Sequence, residues 1–187
     1  MKDKRTALLE SGLRLFVENG FHATPTSQIA REAGVATGTL FHYFKTKEDL
    51  INSIYIENKD LLIKALKMDL EEQMTVKSKL RKLFFNFVYW ALDYTCELQF
   101  FNQFSNSPFI DQLTKEQGME RFSFVFEIVK NGQETDVLKD LPADLLFDVA
   151  QGVLNGFVLN LLANRDRVND LNFLENGFSL YWDCIKG

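Results

Sequence analysis

Two short clusters of hydroxyl, amide, aromatic and basic side chains stand out near the start of the chain. Thr26, Ser27 and Gln28 form one; Thr37, Gly38, Thr39, Phe41, His42 and Tyr43 form the other, with Lys45 and Lys47 just beyond. Small and polar groups at a helix tip, aromatic and hydroxyl groups along its side and lysines at its flank suit a helix that enters a DNA major groove. There, amide, hydroxyl and imidazole groups reach base edges, threonine methyls meet thymine methyls, and ammonium groups meet phosphates. A solitary histidine is more often a solvent-facing or core residue; between Phe41 and Tyr43, a base or phosphate contact is the better reading of His42.

Such residues act only if short helices hold them out. Leu9, Leu13, Phe16 and Val17 recur at helical spacing over 3–19, and Gly20 follows where a left-handed C-terminal cap is expected. Thr26, after Pro25, reads as the N-cap of a second helix that buries Ile29, Ala30 and Ala33 and stops at Gly34. A turn through Val35, Ala36 and Thr37 leads to a third short helix near 38–44. Leu40 and Phe44 point inward from it, leaving Phe41, His42 and Tyr43 outward. Thr46 caps a fourth helix that begins at Lys47. Two short helices joined by a glycine-containing turn form a helix-turn-helix unit, in which the second helix enters the groove and the first crosses the backbone.

The set Phe16, Gly20, Phe21, Thr24, Ile29-Ala30, Ala33-Gly34-Val35, Gly38, Leu40, Tyr43-Phe44, Lys47 and Leu50 resembles the TetR (tetracycline-repressor) family of bacterial regulators. The likeness covers roughly the first fifty residues; "NGQETDVLKDLPADLLFDVAQGVLNGFV" resembles the family's approach to its dimerisation helices more loosely. It implies a homodimer whose heads bind a pseudo-palindromic operator on double-stranded DNA, with a ligand pocket in each body that controls their separation. It also implies phosphate contact by Lys47. Phe41 stands where the family often has tyrosine, and Thr37 where a longer polar or basic side chain is common. These departures leave a second reading open, a ligand-binding or interaction module with weak or lost DNA binding.

The remaining pattern predicts helices near 47–70, 75–103, 112–131, 143–164 and 170–185, broken by polar stretches at 105–108, 131–136 and 164–170. With three prolines, ten glycines and no strand-like alternation, the chain reads as all-α: a three-helix DNA-binding head over 1–48 and a helical ligand-binding and dimerisation bundle over 49–187. Fourteen of the chain's eighteen phenylalanines load that bundle. Most belong in a core, but a cavity between helices is a usual ligand site. The candidates for its lining are Phe84, Phe87, Trp90, Tyr94, Phe101, Phe104, Met119, Phe122 and Phe126. They suit a flat aromatic or an acyl chain. With Asp93, Glu97, Glu120 or Glu127 nearby, a lipophilic cation is the other option.

Gly152 and Gly156, four residues apart, allow close helix approach. With Phe157, Leu161, Phe178, Tyr181 and Trp182 they are the expected homodimer interface. Asp148, Gln151, Asn155 and Asn160 argue against a membrane span there.

Net charge is −5, unlike a protein that coats nucleic acid indiscriminately. Its distribution is uneven: residues 1–48 carry seven Lys or Arg against five Asp or Glu, and residues 49–187 carry fourteen against twenty-one. The opening MKDKRTALLESGLRLF, with charges between its apolar residues, reads as a helix start and not as a secretory leader, so a cytoplasmic location is expected. Cys96 and Cys184 are isolated, which suits reduced thiols and no metal site. Two histidines, both within the first 42 residues, and the lack of any glycine-rich phosphate loop or nucleophile–base spacing give an enzyme no support. No cofactor is expected.

Overall fold

The computed structural model describes residues 3–187. Ten α-helices follow in order: α1 (Lys4–Asn19), α2 (Thr26–Glu32), α3 (Thr37–Tyr43), α4 (Lys47–Leu66), α5 (Val76–Asp93), α6 (Thr95–Phe104), α7 (Gln112–Glu120), α8 (Ser123–Glu134), α9 (Ala143–Ala163) and α10 (Leu171–Ile185), with a 3-10 turn at Arg165–Asn169. Two compact units share the chain. One comprises the chain up to Leu61 with Tyr94–Arg121; the other comprises Leu62–Asp93 with Phe122–Gly187. Only α4 contributes residues to both.

In the first unit, local signals set the ends of the short helices. Gly20, at φ +80°, carries the chain out of α1, and its N–H bonds the Phe16 carbonyl at 2.9 Å. The fully buried Thr24 then donates its hydroxyl to the carbonyls of Leu15 (3.1 Å) and Gly20 (2.7 Å), tying the α1–α2 loop to the end of α1. α2 ends in a Schellman motif. Gly34 sits at φ +69°, its N–H bonds the Arg31 carbonyl at 3.1 Å, and the Val35 N–H reaches back to Ala30 at 2.9 Å. At the start of α4, Thr46 and Asp49 bond each other's backbone N–H groups, both at 3.0 Å, as a capping box. Pro25, not Thr26, is the N-cap of α2, with Thr26 its first residue. Leu8, Phe16, Ile29, Leu40, Leu50, Ile51 and Phe100 form the buried centre.

In the second unit α9 packs on α5, α8 and α10, and α5 also packs on α8 and α10; the end of α4, from Leu62 onward, belongs to the same unit. The Asn86 amide caps α4 there by donating to the Leu66 and Met68 carbonyls, at 3.0 and 2.9 Å. Phe84 is the aromatic hub: its ring centroid lies 5.5 Å from Phe157, 5.7 Å from Phe178 and 5.4 Å from Tyr181. Phe157 also stacks on Phe173 at 5.5 Å and occupies the space that a side chain at Gly177 would take.

Two expected long helices are interrupted. The helix expected over 75–103 breaks at Tyr94, with φ −115° and ψ 56°, and that over 112–131 breaks at Arg121–Phe122. Neither break carries a glycine or proline. Both coincide with crossings from one unit to the other, so the apolar faces before and after each break belong to different cores.

Candidate nucleic-acid interface and apolar cavity

Burial divides α3 cleanly. Leu40 is fully buried and Phe44, just after the helix, nearly so, whereas Phe41 and Tyr43 are 42% and 38% exposed. Thr37, Gly38, His42 and Lys45 are exposed too, and Thr39 is half-buried. Nothing lies within 4 Å of the position a Gly38 side chain would take, so the tip of α3 is open to close approach. The His42 and Tyr43 rings meet edge-on at 5.5 Å. On α2, Ser27 is exposed, and Thr26 and Gln28 are half-buried.

Two large exposed aromatics on a seven-residue helix have no packing explanation. They stand beside threonine, histidine and lysine groups that can donate to phosphates or base edges.

Lys47 behaves differently from Lys45. It is half-buried, its ammonium lies 4.3 Å from the centre of the Phe21 ring, and it donates to the Phe21 carbonyl. Burial lowers its pKa, opposed by neighbouring Glu48.

The second unit holds a cavity of about 80 Å³, several times the roughly 10–15 Å³ that one water needs. Leu62 and Leu66 of α4, Leu80, Leu83, Phe84 and Phe87 of α5, Val125 and Val129 of α8, Leu146, Phe147, Ala150 and Leu154 of α9 and Ile185 of α10 supply its apolar wall, with Phe122 and Leu138. Gln151 and Tyr181 are its polar side chains, and no charged residue lines it. Burial pushes the Tyr181 phenol well above its usual range, with the Cys184 thiol adding to the effect.

Of the aromatics expected in a pocket, the cavity brings together Phe84, Phe87 and Phe122. Trp90 is buried off the cavity, and Phe126 stacks on Phe147 at 5.1 Å outside the lining. Tyr94, Phe101, Phe104 and Met119 belong to the other unit, because the unpredicted break at Tyr94 carries α6 and α7 there. Sequence reading missed the aliphatic contributors from α4, α8 and α9, which carry no signal beyond ordinary core periodicity.

The expected interface on α9 and α10 also needs correction. Leu161, Phe178 and Tyr181 are buried within the chain and Phe157 packs on Phe84, so these four face inward. Trp182 is half-buried, with the Lys77 ammonium 5.1 Å from its ring. Gly152 and Gly156 do face outward into open space, in line with exposed Leu145, Val149 and Leu159. That spacing of three and four makes one apolar stripe along α9. Among the described residues, α9 is the one helix long and apolar enough to cross a membrane, because it is apolar on both its inner and outer faces.

Among the described residues no group of three or more His, Cys, Asp or Glu could hold a metal, and both cysteines are free and half-buried.

Comparison with known proteins agrees with this architecture. Residues 8–54 match the family model described as bacterial regulatory proteins, tetR family, and residues 75–186 match a tetracyclin repressor-like C-terminal domain. The crystal structure of a tetR family transcription regulator from Shewanella sp. PV-4 superposes with a TM-score of 0.94 at 32% identity, covering 100% of both chains. The fatty acid metabolism regulator protein of Bacillus subtilis is 39% identical over 83 residues, which span 43% of this chain and 43% of that relative's length. The Bacillus subtilis regulator FadR in complex with stearoyl-CoA shares the fold, with a TM-score of 0.73 at 22% identity over 96% of this chain and 98% of its own.

Proposed function

The chain belongs to the TetR family of bacterial regulatory proteins, and on that premise we propose that it is a homodimeric cytoplasmic repressor, released from a pseudo-palindromic operator by a small hydrophobic effector. The observation that carries this reading is the division of α3, with Leu40 and Phe44 buried and Thr37, Gly38, Phe41, His42 and Tyr43 presented to solvent. In a dimer the two α3 helices would enter successive major grooves, roughly 34–36 Å apart. Thr26, Ser27 and Gln28 on α2, with Lys45 and Lys47, would set the head on the backbone. His42, Gln28 and the threonines would read bases.

The dimer reading is supported by the α9 stripe: apolar residues flanking two glycines on a solvent face fit close approach of a second copy. Asp148, Gln151, Asn155 and Asn160 make the same helix a poor membrane span.

The effector reading rests on the cavity. Without a cation in its wall, an anionic ligand group inside would be left unpaired, so the buried part of the effector is an uncharged chain or ring, with room for one polar group near Gln151 or Tyr181. An acyl chain is the favoured class, supported by the stearoyl-CoA bound to the FadR relative. This also sets aside a lipophilic cation, since Asp93, Glu97, Glu120 and Glu127 are not in the wall. α4 carries Leu62 and Leu66 in the cavity wall and Leu50, Ile51 and Ile54 in the core that supports α3. Operator release requires that the effector bind one arrangement of α4 more tightly than the other, with reciprocal coupling to DNA.

A gel-shift titration of the full chain on DNA from upstream of its own gene, with and without fatty acyl-CoA of graded chain length, tests the reading. Specific binding that the thioester reverses is expected. A chain that binds no duplex DNA at low salt is instead a ligand-binding or interaction module.

A further inference from the structure

The side chain of Lys47 is already committed before any DNA arrives. Its ammonium lies 4.3 Å from the centroid of Phe21 and 5.8 Å from that of Phe16, and one of its three N–H groups is given to the Phe21 carbonyl. Half-burial leaves the other N–H groups near solvent. A free lysine loses rotamer entropy on fixing a phosphate; here the stem is ordered in advance.

The ring that holds it is itself held. Phe109, in the loop between α6 and α7, stacks on Phe21 with centroids 4.1 Å apart and planes 16° from parallel. Asn52 fastens that loop to α4: its amide donates to the Phe109 carbonyl at 3.1 Å, and its oxygen accepts the Asp111 N–H at 3.1 Å. The same amide donates to the Glu48 carbonyl at 2.8 Å, one residue past Lys47.

We propose that Phe21 is a positioning residue that presents the Lys47 ammonium to a DNA phosphate, and that Phe109, braced by Asn52, holds Phe21 in place. This makes the α6–α7 loop part of the DNA-contact apparatus, although none of its residues need touch DNA. The proposal rests on the reading of the head as a DNA binder.

The test is a double-mutant cycle on the full chain with a non-specific 30-base-pair duplex, since a phosphate contact acts on any sequence. Lys47→Met is expected to weaken binding and to lower the salt slope by about one. Phe21→Leu, which keeps apolar volume and removes the ring face, is expected to weaken binding roughly fivefold while leaving the slope unchanged, as lysine remains charged. Phe21→Tyr is expected to restore the affinity. In the Lys47→Met background, neither Phe21→Leu nor Phe109→Leu should weaken binding further.

Strict additivity of Phe21→Leu and Lys47→Met, or tighter binding by Phe21→Leu, overturns the proposal. If Phe21→Leu fails to fold, Phe109→Leu and the wild-type proton spectrum decide. Lys47 side-chain methylenes must then show upfield ring-current shifts that shrink in Phe109→Leu, and unshifted methylenes overturn it. Wild-type protein that binds no duplex refutes the DNA-binding reading itself, an outcome separate from additivity.

Discussion

The Cε1 and hydroxyl edge of the Tyr55 ring, on α4, packs against α7 at Gly118: a Cβ built on Gly118 would stand 2.7 Å from the ring carbon Cε1 and 3.2 Å from the hydroxyl. The contact exists only because residue 118 has no side chain. Gly118→Val must displace a buried ring from a packed core, with an expected loss of roughly 1–3 kcal/mol. Thermal unfolding should show a lower Tm, and Gly38→Val, at an open position with nothing within 4 Å, should shift it much less.

Lys59 gives the same unit a pH signature. Its ammonium is buried, 4.7 Å from the Phe101 ring centroid and 5.4 Å from that of Tyr55, and burial lowers its pKa from the ordinary 10.5 to about 8. Between those values the unfolded chain binds the proton and the folded chain does not, so this group makes stability rise with pH across that window. The gain is at most about 3 kcal/mol. Urea unfolding at pH 7.5 and pH 10 should show this rise in wild type relative to Lys59→Met, whose methionine cannot titrate. Equal pH dependence in both proteins refutes the assignment.

The stripe on α9 predicts the oligomer. Val149→Glu with Leu159→Glu places charge on both sides of Gly152 and Gly156 without touching the buried face. Light scattering should give twice 21.6 kDa for wild type and a single chain mass for the double variant, with helical content unchanged by circular dichroism. A wild-type monomer at micromolar concentration removes the dimer from the reading.

Filling the cavity should separate sensing from DNA binding. Leu154→Trp adds bulk to a wall of a space of about 80 Å³. Operator affinity should persist while acyl-CoA-driven release shifts by at least about tenfold, the loss of roughly 1.4 kcal/mol of effector binding. Gel-shift titration of the variant beside wild type reads both quantities, and undiminished release by the variant would place the effector elsewhere.

The sequence by itself determined the head. Its helix ends are written in residues that act locally: Gly20 and Gly34 at positive φ, Thr46 with Asp49 in a capping box, and the short periodic run that buries Ile29, Ala30, Leu40 and Phe44. On helices of seven residues, fixing the inward side chains leaves Phe41, His42 and Tyr43 nowhere to point but outward. Only the tertiary structure decided the body. Periodicity states which residues share a helix face but not which other face covers them, and α9 is apolar on two sides. Hence Phe157 and Leu161 turned inward while Leu145, Val149 and Leu159 took the outer stripe. Breaks at Tyr94 and Arg121–Phe122 carry no glycine or proline because long-range packing imposes them, drawing α6 and α7 into the other core. For that reason Phe101 and Phe104 left the expected pocket, and aliphatic residues from α4, α8 and α9, unremarkable along the chain, became its wall.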